Sequence, residues 1–364
     1  MIIDRIEPIA LRLPAPKRPA NVPSPLASGD ICFTLCRVTT QGGLVGYGEC
    51  LSLRPPMQNA LFATIRDAIA PHYLGKPVGQ KEALNLAARR RFASFGRAGT
   101  VMNALAAVDI ALWDIAGKAS GRSISAMLGG ARRNRVPVMA SLDKYDHPGR
   151  ARQRVEQALA SGVAAVKVHE AGLEVIEEAR RAIPAATPYV ADSNNAHTLA
   201  DIRRDAARWA ALGLLWFEDP FWPPEDLLEC PALPGIVIGM GADFGSAEQM
   251  AVFSKTPAIG VLQPDVCMLG GLSEAQRTLT MLAAAKKTAA PHTPFVGPAA
   301  LASLHMLAVT EEAGYFATVE ADDSMDPYGI GLTRWQKSLD VPTGPGLGFD
   351  PDPDFLRHHL YATG

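Results

Sequence analysis

Two rhythms of apolar and polar positions run along the chain. Over roughly the first 125 residues, strand-like alternation in Ile2–Leu13 and Ile31–Val45 gives way to helical periodicity from about Gln58 to Ala116. Leu105, Val108, Leu112 and Ile115 recur at steps of three and four and predict one buried helix face. Pro14–Asp30, rich in Pro, Ala and Ser, reads as a long loop between the first two strands. Loops that long inside compact domains are usually functional or disordered.

From about Val136 short apolar runs rich in β-branched residues alternate with helical patterns. The predicted strands are Val136–Leu142, Ala164–Glu170, Tyr189–Asn194, Leu214–Asp219, Ile236–Phe244, Ile259–Asp265, Ala289–His292 and Ala317–Glu320. One intervening helix opens at Thr198, with Asp201 in place to complete a capping box, and closes before Gly213; its apolar face carries Leu199, Ile202, Ala206, Trp209 and Ala210. A second is predicted to open at Ser273 with Gln276 in capping-box position. Eight strands alternating with helices imply a parallel sheet closed into an α/β barrel. The Pro/Gly-rich tail from about Gly331 is expected to pack back on the first unit.

Composition narrows the class. At 48% apolar and 20% charged residues, with a net charge of −2, the chain lacks the basic face of a nucleic-acid binder. The longest apolar stretch, Val101–Ile115, is broken by Asn103, Asp109 and Asp114 and is too short and polar to span a bilayer. No basic segment followed by an apolar run opens the chain, so no signal peptide is expected. Cys32, Cys36, Cys50, Cys230 and Cys267 are odd in number and irregularly spaced, which predicts free thiols in a reducing cytoplasm rather than a disulfide framework or zinc site.

Chemistry in an α/β barrel gathers at the C-terminal ends of the strands. Those predicted ends hold Lys167 with His169, then Asp192, Glu218, Asp243, Asp265, His292 and Glu320, at intervals of 22 to 28 residues, each about one strand-plus-helix unit. Such residues converge on one mouth. Asp192, Glu218 and Asp243 each follow an apolar run; three carboxylates in one low-dielectric mouth repel one another, and a hard divalent cation such as Mg²⁺ relieves the conflict. Lys167 and His169 lie two apart on a strand, so they point the same way, and a nearby cation would lower the lysine's pKa toward neutrality. Asp265 and His292 end neighbouring strands about 4.8 Å apart, within reach of an Asp–His pair that fixes the imidazole tautomer. Glu320 is a candidate for the same mouth.

These segments resemble the enolase superfamily, and within it the mandelate racemase subgroup. The resemblance rests on Val166-Lys-Val-His169, Val190-Ala-Asp-Ser-Asn194, Trp216-Phe-Glu-Asp-Pro220, Gly241-Ala-Asp243, Gln263-Pro-Asp-Val266 with Gly270-Gly271, and Pro291-His292. Ala111-Leu-Trp-Asp-Ile-Ala-Gly117 and Leu128-Gly-Gly130 are similar to the family's junction between cap and barrel. The resemblance implies a modified (β/α)7β TIM barrel over residues 126–330, an α+β capping domain over 1–125, and a return of 331–364 to the cap. It further implies Mg²⁺ on Asp192, Glu218 and Asp243, acid–base groups Lys167/His169 and His292/Asp265 on opposite faces of the substrate, and Glu320 stabilising an enolate. Two positions depart from the usual subgroup pattern. His169 stands where Lys is common, as in some dehydratases of the subgroup, and Asp243 stands where Glu is frequent.

The reaction expected is abstraction of the proton beside a substrate carboxylate, with acid-sugar dehydration to a 2-keto-3-deoxy acid as the leading form. A racemase, epimerase or cycloisomerase shares the first step, and a Schiff-base aldolase on Lys167 is a third reading. The expected partner is a small-molecule sugar acid, with neither nucleic acid nor membrane involved, acting on a cytoplasmic homo-oligomer. Specificity is expected from two cap loops, about Lys17–Asp30 and Cys50–Pro56, with Arg54 and Asn194 as candidate substrate contacts.

Overall fold

The computed structural model describes residues 1–13, 31–53, 55–310, 314–319 and 323–361. Pro14–Asp30, Arg54 and Glu320 lie outside the described residues, so the expectations placed on them rest on the sequence alone.

The first strand pattern forms β1 (Ile3–Leu13), antiparallel to β2 (Ile31–Thr40). The run expected as one strand to Val45 is interrupted: β2 ends at Thr40, Gly43 takes φ +81°, and β3 (Val45–Leu53) turns back as the third strand of the sheet. Helix Thr100–Ser120 packs across β3, and two glycines permit that approach. A Cβ on Gly48 would stand 1.9 Å from Ala107 O, and one on Gly46 would stand 2.4 Å from Ala111 O. This helix serves two cores. Leu105, Val108, Leu112 and Ile115 face the cap cluster, while Ala106, Ile110 and Trp113 join the barrel cluster. By length and composition it is apolar enough to cross a membrane, but it is packed inside the protein, which accounts for apolar residues all round it.

The barrel strands are β4 (Arg135–Leu142), β5 (Ala165–His169), β6 (Tyr189–Asp192), β7 (Trp216–Glu218), β8 (Ile238–Met240), β9 (Ile259–Leu262), β10 (Thr288–Ala289) and β11 (Phe316–Val319). They run parallel in chain order, and β11 pairs with β4, bringing the last strand beside the first. Between β10 and β11 the contact passes through Thr293, whose Oγ1 accepts from Ala317 N at 2.7 Å and donates to Ala317 O at 3.2 Å. Helices follow the first seven strands, reduced after β7 to the short turn Pro224–Leu227, giving a modified (β/α)7β barrel with an α+β cap. The tail adds β12 (Ser338–Asp340) antiparallel to β4 and reaches the cap, where Leu347 N donates to Asp114 Oδ1 and Tyr361 N to Ala10 O.

The expected helix starts fare differently. Thr198 and Asp201 form the capping box, and the helix they open breaks at Asp205 into Leu199–Arg204 and Ala206–Ala211. The box expected at Ser273–Gln276 is absent. The helix starts at Leu272, and its N-terminus is capped from the other domain: Asp109 accepts from Ser273 N (2.8 Å) and Ser273 Oγ (2.7 Å). The next barrel helix, Pro298–Val309, is capped the same way, by Glu49 of β3 accepting from Ala299 N at 2.9 Å. Both caps place a carboxylate at the positive end of a helix dipole.

Both carboxylates are fully buried, and burial dominates their titration. It raises Glu49 from 4.5 to about 8 and Asp109 from 3.8 to about 7, against the hydrogen bonds that pull the other way. Folding therefore favours their protonated forms, so the folded state binds more protons than the unfolded one between about pH 4 and pH 8, and stability falls as pH rises through that window. Glu49→Gln keeps an acceptor for Ala299 N but cannot titrate. The decline in melting temperature between about pH 5 and pH 8 should be shallower in this variant than in the parent. An unchanged slope in thermal melts across that range would exclude Glu49 as a contributor.

Candidate active site

The strand ladder itself assembles the first half of the site. Register pairs His169 with Asp192 and Asp192 with Glu218 across β5, β6 and β7, so three predicted residues stand side by side at one end of the sheet. Lys167, one pleat below His169, points the same way. Its Nζ donates to Glu218 Oε1 at 2.6 Å and to Asp192 Oδ2 at 3.3 Å, and His169 Nε2 approaches the same Asp192 oxygen at 3.2 Å. Glu218 Oε2 accepts from Trp216 Nε1 at 3.0 Å. That indole fits because residue 239 is glycine; a Cβ there would stand 2.3 Å from the Trp216 ring.

This cluster sets its own charge states. Burial alone would lower the lysine's pKa, but Glu218 and then Asp192 outweigh it and hold Lys167 well above its ordinary value. The lowering expected beside a cation is therefore reversed when carboxylates are the only partners. Burial likewise works against Asp192, yet Lys167 and His169 keep it well below the usual carboxylate range. His169 is raised: burial lowers it and Asp192 more than compensates.

Asp243, Asp265 and His292 lie beyond the regular strands. β8 ends at Met240, where Gly241 adopts φ +111° and starts a turn closed by Phe244 N donating to Gly241 O, so Asp243 is exposed on that turn rather than set on a strand end. Burial and the nearby Asp265 and Asp192 raise its pKa, and His292 opposes them. Asp265 and His292 meet as an isolated parallel bridge, as their places at neighbouring strand ends imply. His292 Nδ1 lies 2.8 Å from Asp265 Oδ2, while Asp265 Oδ1 accepts from Cys267 N and Met268 N. Both imidazoles are thus fixed through Nδ1, His292 by Asp265 and His169 by the carbonyl of Leu142. A carbonyl only accepts, so His169 Nδ1 carries a proton and Nε2 is left as the exchanging nitrogen.

Lys167, Glu218, Gln263 and His292 line one small cavity of about 10 Å³, which joins one residue of the second half to the first. Asn194 is exposed, with φ +48°; its N–H caps Asp192 Oδ1 at 2.9 Å. Two residues not anticipated belong to the site. Gln263 Oε1 is buried without a hydrogen-bond partner. Asp219, held at φ +36°, has its pKa pushed well up by burial and then by Asp192, Glu218 and Asp243. The Glu-Asp pair in the sequence was the available signal, but strand alternation turns neighbours apart; only the left-handed backbone returns Asp219 to the acids.

Four acids thus influence one another across the mouth, with Lys167 and His169 as the cations against Asp192. Among the described residues no three Asp, Glu, His or Cys side chains stand close enough to hold an ion without adjustment. The donor set is nonetheless all oxygen, anionic and short of positive charge, which suits a hard divalent cation such as Mg²⁺.

Residues 150–355 match the enolase C-terminal domain-like family, and residues 9–129 match the mandelate racemase / muconate lactonizing enzyme N-terminal domain. The chain belongs to the mandelate racemase group of the enolase superfamily. It is 29% identical over 343 residues to a D-galactarolactone cycloisomerase of Agrobacterium fabrum, covering 88% of this chain and 89% of that one. It is 25% identical over 338 residues to an arabinonate dehydratase of Saccharolobus solfataricus, covering 89% of each. The crystal structure of an enolase superfamily member from Polaromonas sp. JS666 superposes with a TM-score of 0.87 at 26% identity, covering 100% of this chain and 99% of that one.

Lys167→Met tests the charge balance. Removing the ammonium leaves Asp192 and Glu218 buried without their shared cation, and breaking a buried ion pair from one side costs roughly 3–5 kcal/mol. Urea unfolding in the absence of divalent ions should show a loss of that order; a variant as stable as the parent would mean the ammonium does not hold the acids.

Proposed function

We propose that this protein is an acid-sugar dehydratase that removes the proton beside a substrate carboxylate and yields a 2-keto-3-deoxy acid. The observation that carries this reading is that Lys167 and His292, from opposite parts of the barrel, line the same small cavity, with Asp265 behind His292 at 2.8 Å. Asp192, Glu218 and Asp243 would hold Mg²⁺. When bound, that ion supplies positive charge to the substrate carboxylate and so acidifies the neighbouring C–H.

The chain's own residues then divide the proton work. On one face, His169 Nε2 receives the proton from C2, and Lys167, held as an ammonium by Asp192 and Glu218, stabilises the negative charge that develops on the substrate. On the other, His292 Nε2 gives a proton to the C3 hydroxyl, which leaves as water. The electron pair released at C2 forms the C2–C3 double bond, and the resulting enol becomes the 2-keto-3-deoxy acid. Asp265 accepts a hydrogen bond from His292 Nδ1–H and so orients the ring with Nε2 free to give up its proton. Glu320 is assigned to charge stabilisation at the carboxylate, and Arg54 with Asn194 to substrate contact, on the family resemblance. The buried free thiols accord with a reducing cytoplasm.

A second reading, a cycloisomerase or racemase, shares the first proton transfer and is favoured by the similarity to the D-galactarolactone cycloisomerase. The Schiff-base reading needs a neutral lysine, whereas Lys167 is held as an ammonium by two carboxylates.

Two experiments test the assignment. Chelation with EDTA should abolish turnover of a mono- and diacid sugar library while leaving the fold intact, and Mg²⁺ should restore it; full activity after exhaustive chelation contradicts the metal assignment. With an active sugar acid in hand, His292→Asn should lose 2-keto acid formation yet still exchange the C2 proton with D₂O, read by NMR, because proton removal and hydroxyl loss are separate steps. Inversion at C2 with no keto product from the parent enzyme establishes the isomerase reading instead.

A further inference from the structure

Asp192 and Glu218 are fixed by the strand ladder, but the third acid of the proposed cation site is not. β8 stops at Met240, so no ladder hydrogen bond of β8 reaches Asp243. Asp265 is likewise three residues beyond the end of β9. Besides bonds within the barrel, these two turns are tied to the cap.

Helix Lys81–Arg91 of the cap presents Asn85 and Arg89, four residues apart and so on one face, to the barrel mouth. Arg89 is nearly buried, and its guanidinium forks between two loops: Nη1 donates to Leu269 O at 2.6 Å and Nη2 to Gly245 O at 2.8 Å. Gly245 lies two residues beyond Asp243 and Leu269 four beyond Asp265. Gly245 is also pressed against cap backbone, since a Cβ there would stand 2.1 Å from Arg97 O. Glu274 completes the arrangement: its Oε1 lies 3.5 Å from Arg89 Nη2 and accepts from Ala247 N at 2.8 Å. Asn85, by contrast, reaches only one of these two loops, donating to Gly270 O at 2.7 Å, and its other side-chain partner is Asp109 of the cap.

We infer that Arg89 is a positioning residue that sets the turn of Asp243 relative to the turn of Asp265, so that the capping domain fixes the third cation ligand as well as covering the mouth. This rests on the assignment of Asp192, Glu218 and Asp243 as cation ligands. A planar fork with two donors at fixed spacing suits the task; a lysine reaches one carbonyl or the other. Residues that orient metal ligands from behind typically contribute ten- to hundredfold in metal affinity.

The test uses the full chain and Mn²⁺ alone, a hard stand-in detected directly by electron paramagnetic resonance, so no substrate is needed. Arg89→Met should weaken Mn²⁺ binding by roughly tenfold or more, and Arg89→Lys, the milder change, by an intermediate factor. Asn85→Ala, on the same helix face but with no bond to the Asp243 turn, should bind within about twofold of the parent. Parent-like binding by both Arg89 variants overturns the inference. So does equal weakening by Asn85→Ala, which would mean that any loosening of the cap–barrel contact has the same effect. A parent protein that binds no Mn²⁺ removes the cation assignment itself, and with it this role for Arg89.

Discussion

A single ammonium, Lys167 Nζ, sits almost completely buried between Glu218 and Asp192, and the electrostatics of the barrel mouth follow from it. The strand ladder places those acids next to each other, and no rearrangement short of breaking β6–β7 separates them. The lysine's charge is the compensation the fold provides. It is incomplete, because Asp219 and Asp243 also feel the cluster and are driven toward their protonated forms. A site built this way has unmet demand for positive charge, which a bound cation would help to meet.

The two imidazoles proposed as proton carriers are held in different ways. His292 has a carboxylate behind Nδ1; His169 has a carbonyl behind Nδ1 and a carboxylate in front of Nε2. Asp192 therefore pairs with His169 and is also one of the proposed cation ligands. Withdrawing Asp192 charge toward a bound ion would leave His169 less firmly protonated, which links cation binding to the availability of a base on that face.

Much of this was legible in the sequence, for a geometric reason. Strand-end residues one βα unit apart must converge, so the spacing from Lys167 through His292 located the mouth, and adjacency of strands placed Asp265 against His292. What escaped was either non-local or set by backbone conformation. Nothing near Ser273 in the sequence signals that its helix is capped by Asp109, or that Ala299 is capped by Glu49; these are contacts between domains that no local pattern encodes. The turn at Gly241 that lifts Asp243 off the strand lay inside an apolar run and was read as its continuation. Asp219 was hidden because alternation predicts that it points away from Glu218, and a left-handed backbone reverses that. The direction of the Lys167 shift depends on whether carboxylates or a cation dominate its surroundings, which composition cannot decide.

The most direct test of the charge-balance account is a crystal structure of the protein grown with Mn²⁺, with data collected at the manganese absorption edge. The account requires one anomalous peak at the barrel mouth, within coordination distance of Asp192, Glu218 and Asp243 together. A mouth without such a peak at saturating Mn²⁺, with Lys167 still bridging Asp192 and Glu218 and the ion bound elsewhere, would contradict it.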